Sequence, residues 1–187
     1  VDLPQESQGI FPEGPQFFED RFGYRPLENE VLSLSIGQGP NSQTPLKMAQ
    51  FYLALARDGS APPPMLARDM PIGEGWALDL LPEHIASIYA GLAAVTTQDG
   101  TAHFETSLEH WQVVGKTGTG QNALSVQGLA ENDAWFVGMA GPWDGPPEIV
   151  IAVLVENGAS GSGMAAPVMS KTADFYLRKK HNIPIDT

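Results

Sequence analysis

Three stretches decide the fold: WQVVGKTG at 111–118, NDAWFVGMAG at 132–141 and EIVIAVLVEN at 148–157. Each is short, rich in β-branched and aromatic residues, and bounded by glycine, proline or asparagine, as strands are. A Pro/Gly-rich turn at 141–147 separates the second from the third, and such short connections favour antiparallel pairing. The third stretch is apolar on both faces, which predicts a central strand.

Helical patterns flank the strands. Thr44 followed by Pro45 is a helix start, a hydroxyl cap ahead of proline at the first helical position, and PLKMAQFYLALARDG runs from it to Gly59. Leu81 and Pro82 open a second helix, in which Ile85, Ile88, Leu92 and Val95 repeat every three or four residues up to Gly100. Ala90, Gly91, Ala93 and Ala94 are small, and Gly91 in a helix interior predicts a close neighbour. Pro167 precedes a closing helix, VMSKTADFYLRKK, whose basic end suits its dipole. Residues 1–30 show no sustained period and read as an ordered loop pinned by Phe11, Phe17, Phe18, Phe22 and Tyr24. VLSLSIGQG at 31–39 reads as a short strand-like alternation ending in a glycine-rich turn. The predicted class is therefore α/β (α+β), an antiparallel sheet covered by helices.

The 187 residues suit one domain or one large piece of a bigger one. With 10 basic against 22 acidic residues the net charge is −12, which opposes nucleic-acid binding while permitting a local basic site. The absence of cysteine excludes disulfides, thiolate catalysis and Cys-ligated zinc. No apolar run is long enough to span a bilayer. No ligand pattern unites His84, His103 and His110, so no metal is expected. Asp99 and Glu105 carry no particular signal among so many acids.

The segment with chemical content is Gly115–Lys116–Thr117–Gly118–Thr119–Gly120. It combines an ammonium, two hydroxyls and a residue with no side chain at a strand end. It could hold a carboxylate, and on an open edge its backbone N–H groups could bind an extended peptide or an oxyanion. The rival phosphate-binding loop requires a glycine five residues before Gly115 and a helix afterwards. His110 stands at that place and a strand follows. GKTGTG could also be an ordinary turn. Period two puts Lys116 and Gly118 on one sheet face and Thr117 and Thr119 on the other, so parity alone does not bring all four to one pocket.

Lys-Thr-Gly is the third signature of penicillin-binding proteins and serine β-lactamases. The surrounding sequence resembles the class B penicillin-binding proteins, and within them the elongation-type peptidoglycan D,D-transpeptidases. The likeness runs through DLPQESQGIFP at 2–12, with Gln5 where the family usually has glycine, and SIGQG at 35–39 with TPLKMAQFYLALARDG at 44–59. It continues through LPEHIASIYAGLAAV, GTA at 100–102 and GKTGTGQ at 115–121, and ends with AWFVGMAG, IAVLVENG and AAPV. The family acylates a serine in Ser-x-x-Lys and uses a Ser-x-Asn element. No serine here has lysine three positions later, and Ser-x-Asn is absent. The resemblance thus implies that residues 1–187 are the C-terminal portion of a transpeptidase domain, inactive alone, with the nucleophile upstream.

By the same resemblance the KTG strand is an edge strand and Lys116 is catalytic, supporting the Ser-x-Asn serine. Thr117, Gly118 and Thr119 bind substrate, and the N–H of Thr119 forms half of the oxyanion hole. The substrates would be peptidoglycan stem peptides, with β-lactams as mimics, and no metal or organic cofactor would be needed. The partners would be the upstream half of the domain and a membrane glycosyltransferase. The location would be the outer face of a bacterial cytoplasmic membrane. Trp135 and Phe136 are expected in the core, Gln38 and Gly39 in a structural loop, and Gly158, Gly161 and Gly163 at a mobile rim of the cleft. The alternatives are a serine β-lactamase-like hydrolase and a truncated or degenerate, non-catalytic partner-binding module. A surface left uncovered by a missing half would make the chain prone to self-association.

Overall fold

The computed structural model describes residues 6–67 and 73–185, so Gln5 and the start of the DLPQE stretch lie outside the described residues. In chain order the elements are α1 (Pro15–Phe22), α2 (Glu28–Ser35), α3 (Pro45–Ala56), β1 (Ser60–Ala61), β2 (Trp76–Ala77), α4 (Pro82–Ala94), α5 (His103–Thr106), β3 (Trp111–Gly120), α6 (Ala123–Val126), β4 (Asp133–Pro142), β5 (Ile149–Val155), a π-helical turn (Gly161–Ala165) and α7 (Ala166–His181). The main sheet has the order β3–β4–β5, antiparallel throughout, with Lys116 opposite Val137 and Phe136 opposite Val153.

The sheet is covered on both faces. Trp111, Val113, Ala134, Phe136 and Ala140 face Met169, Ala173 and Leu177 of α7. Val114, Val137 and Met139 face Tyr52 and Leu55 of α3 and Ile85 of α4. Phe136 and Met139 are wholly buried, one on each side of β4, so the tightest packing lies on the middle strand. Trp135 is half-buried and packs against the α3–α4 cluster. The foot of α7 is clamped by Trp111, whose indole N–H donates to Asp174, while Arg178 pairs with the same carboxylate.

Four expectations are corrected. β5 is an edge strand among the described residues, and the centre is β4. β5 is apolar on both faces because α7 and α3 flank it, and every residue of it remains half-exposed. Face burial by helices therefore imitates the pattern of a central strand. Second, VLSLS lies in α2. Glu30 accepts from the Leu27 N–H at 2.8 Å, and Glu28 and Glu30 favour the helix N-terminus, which outweighs a short alternation. Third, the first thirty residues contain α1, with Pro15 at its start and Gly23 left-handed (φ 77°) at its end. The expected aromatic pinning holds there in part: Phe18 is buried against Phe17, Phe22 and Tyr24, whereas Phe11 is exposed. Fourth, Gly91 is exposed, and a Cβ there would meet nothing within 4 Å, so no close neighbour uses it among the described residues.

The Thr44 cap is present, accepting from the Lys47 N–H at 3.1 Å. α3 stops at Ala56, and Asp58 and Gly59 (φ 55° and 93°) turn the chain away. No helix among the described residues is long and apolar enough to cross a membrane.

Candidate active site

The 115–120 segment occupies the outer half of β3, whose far side carries no strand among the described residues. In an antiparallel strand the N–H and C=O of one residue point the same way, and the direction alternates along the chain. The direction is readable here from side-chain donors. Thr96 donates to the Val113 carbonyl at 2.6 Å, the Lys116 ammonium to the Thr117 carbonyl at 2.8 Å, and Gln38 to the Thr119 carbonyl at 3.0 Å. None of these donors is on β4. The odd-numbered residues therefore turn their backbone groups outward, and the Thr119 N–H points to the open edge.

Lys116 and Thr117 leave opposite faces, as period two requires, but the lysine stem curls around the edge. Its Nζ comes to 3.5 Å from Thr117 Oγ1 as well as bonding the Thr117 carbonyl. Thr117 Oγ1 is in turn 3.4 Å from Thr101 Oγ1, in the connection between α4 and α5. An ammonium and two hydroxyls thus line up along one exposed edge. Lys116 has no carboxylate within ion-pair distance among the described residues, although the chain is strongly acidic. A free cation beside hydroxyl donors suits an anionic group of a ligand.

Gly118 and Gly161 explain how the edge is held. A Cβ on Gly161 would collide with the Trp135 carbonyl and come within 2.5 Å of the Gly118 carbonyl, so the π-helical turn lies directly on the strand. Gly158 and Gly161 are buried and only Gly163 is exposed. The expected glycine rim is thus packed against β3 and β4, with Ser160 accepting from the Gly163 N–H. Behind the strand, Asp133 accepts from the Asn122 side chain and the Asn157 N–H, joining the β3–β4 connection to the segment after β5.

Two residues at this edge escaped sequence reasoning as site members, Thr101 and Gln38. Gln38 was expected in a structural loop, and its side chain ties that loop to β3 by donating to the Thr119 carbonyl. The histidines lie apart: His103 contacts the Thr96 carbonyl, His110 neighbours Glu109, and His181 bonds Glu148. No group of three metal-ligating side chains occurs among the described residues.

The sequence profile of the penicillin binding protein transpeptidase domain matches residues 1–174. The chain belongs to the penicillin-binding protein transpeptidase family. Within it, the match is to the class B, penicillin-binding protein 2 type of elongation transpeptidase. The peptidoglycan D,D-transpeptidase MrdA of Acinetobacter baumannii is 33% identical over 211 residues, covering 99% of this chain and 30% of that protein. The crystal structure of Pseudomonas aeruginosa PBP2 superposes with a TM-score of 0.75 at 30% identity, over 97% of this chain and 41% of that one. PBP2 of Helicobacter pylori, solved in complex with MreC, gives a TM-score of 0.81 at 23% identity over 98% of this chain and 33% of that one, a likeness of fold. The chain spans about a third of the length of the curated relatives it matches.

Proposed function

We propose that this chain is the C-terminal portion of a peptidoglycan D,D-transpeptidase domain and supplies the strand against which a stem peptide lies. The observation that carries the reading is the open edge of β3. Lys116 Nζ and Thr117 Oγ1 meet there, and Thr119 turns its backbone outward. A D-alanyl-D-alanine terminus is extended and anionic, so it fits a strand edge bearing a cation and hydroxyls. In the complete enzyme a serine outside residues 1–187 attacks the penultimate D-alanine carbonyl. The serine oxygen–carbon bond forms, the peptide C–N bond breaks, and the terminal D-alanine leaves with the serine's proton. An amine of a neighbouring stem peptide then takes the acyl group and regenerates the serine. The Thr119 N–H supplies one donor to the oxyanion, and Lys116 supports the proton transfers through the second serine element. Gly118 relieves crowding behind this edge, where a Cβ would come within 3.0 Å of Trp135 Cβ.

Family membership extends the proposal to β-lactams as substrate mimics, to attachment at the outer face of the cytoplasmic membrane, and to work alongside a membrane glycosyltransferase. The complete protein, given a stem peptide ending in D-alanyl-D-alanine and an amine acceptor, should release D-alanine and form a cross-linked product. Rapid turnover of penicillin without cross-linking would favour a β-lactamase. Neither reaction, with Ser-x-x-Lys missing from the complete sequence, would favour a non-catalytic module.

A further inference from the structure

Where the start of α3 meets the β1–β2 hairpin, an open cavity of about 300 Å³ is lined by Gln43, Lys47, Gln50 and Trp76, all half-buried and none of them on β3. Local structure holds its walls. Ile10 and Ser42 exchange backbone hydrogen bonds of 2.6 and 2.9 Å. The Gln43 amide donates to the Ile10 carbonyl at 3.2 Å and to Asn41 Oδ1 at 2.9 Å, which leaves its own carbonyl oxygen to accept. The Thr44 cap starts α3 and sets Lys47 and Gln50 one turn apart on one face. Trp76 of β2 is opposite Ala61 of β1, and Gly75 lets the hairpin close, since a Cβ there would come within 2.9 Å of the Ala61 carbonyl.

The polar groups of this cavity have no work within the fold. The Lys47 ammonium, the Gln50 amide and the Trp76 indole N–H make no hydrogen bond among the described residues. No carboxylate lies within ion-pair distance of Lys47 among them either, in a chain with 22 acidic residues against 10 basic ones. A half-buried cation left unpaired in an acidic chain favours an anionic ligand group. Primary amides both donate and accept, which suits hydroxyl and acetamido groups that do the same. The indole adds an apolar face with one donor at its edge, a surface for the C–H face of a sugar ring. The volume is at the lower end for a ligand pocket and takes a single ring.

We infer that this cavity is a subsite for an acidic sugar. The ring lies on Trp76, its polar substituents meet Gln43 and Gln50, and its carboxylate meets Lys47. The inference does not depend on the transpeptidase reading.

The test uses N-acetylmuramic acid and N-acetylglucosamine, which share a ring and an acetamido group and differ by a lactyl ether bearing the carboxylate. Complete protein, first treated with benzylpenicillin to fill the β3 edge, is titrated with each sugar while the acetamido methyl signal is followed by NMR. N-acetylmuramic acid should bind saturably and about tenfold more tightly than N-acetylglucosamine, as one charge-assisted hydrogen bond implies. Lys47→Met should abolish that preference and leave N-acetylglucosamine binding unchanged. Trp76→Ala should weaken both sugars, and if it fails to fold, Gln50→Ala read the same way decides. Three results overturn the assignment: no saturable binding of either sugar, a Lys47→Met protein with the wild-type preference, or D-lactate competing as well as N-acetylmuramic acid. A protein that penicillin does not acylate fails the transpeptidase reading and is titrated as it is, so the two failures are read separately.

Discussion

The two edges of one sheet are built to opposite rules. Along the outer edge of β3, the carbonyls of Val113, Thr117 and Thr119 are met by side-chain donors from Thr96, Lys116 and Gln38, and the rim carries a cation and hydroxyls. Along β5 every residue is apolar and half-exposed. Its flank with α3 is a groove of about 470 Å³ lined by Leu46, Leu53, Pro63, Ile149 and Val150 among others. An open edge is a template for whatever strand arrives. The polar edge offers direction and charge, so it suits a ligand that comes and goes. The apolar edge offers area, so it suits permanent cover. Chemistry should therefore respond to changes on β3 and stability to changes on β5.

The largest expected effect is on the first edge. Lys116→Met should lower acylation of the complete protein by penicillin about 10²–10³-fold, the size found when one charge-stabilising donor is removed. Because Lys116 is exposed and bonded only to its own strand, the melting midpoint should not move. A stability loss without a rate loss would break the contrast.

The mirror experiment is Ile151→Ala on β5. It removes a side chain packed against the α7 cluster and should cost about 2 kcal/mol in urea unfolding, the low end for a residue only half-buried. Acylation by the folded fraction should be unaffected.

On the α3 side, Tyr52 makes the stability of this face depend on pH. Burial pushes its phenol up to about 12, against an ordinary 10.0. The unfolded chain loses this proton first as pH rises, so stability is complete below pH 10 and declines between 10 and about 12, by roughly 1 kcal/mol per pH unit. Tyr52→Phe should remove that part of the alkaline slope, measured as unfolding free energy against pH.

The smallest effect is at Glu148, just before β5, which bonds Lys180 and His181 at 2.8 Å each. Lys180 first, and His181 second, hold its carboxyl below the usual value. A lowered carboxyl contributes stability above its unfolded pKa and loses it as pH falls through the folded one. Glu148→Gln should therefore cost less than about 1 kcal/mol at neutral pH, as partly exposed pairs do, and nothing in strong acid.

How much of this could be read from the sequence depended on how local the cause was. Thr44 and Pro45 announced α3 because a cap and a fixed φ act within one turn. VLSLS misled because its alternation is short, while the deciding group, Glu30, acts through a cap at Leu27. The place of β5 in the sheet was hidden because composition reports which faces are covered and is silent on which edges are paired. At the site, the KTG strand and its edge position were legible through the family likeness. The curl of Lys116 around that edge was not, since alternation assigns a face to Cβ and leaves a long flexible stem free. Gln38 and Thr101 were out of reach because their contacts with β3 span eighty-one and sixteen residues.

The division of labour between the two parts of the domain turns on where the nucleophile lies. The decisive measurement is intact-mass spectrometry, followed by peptide mapping, of the complete protein and of the 187-residue chain after exposure to penicillin. The predicted result is one penicilloyl adduct on the complete protein, on a serine outside residues 1–187, and none on the chain alone. An adduct on any serine within residues 1–187 would contradict the claim that this chain supplies the substrate-binding edge and not the nucleophile.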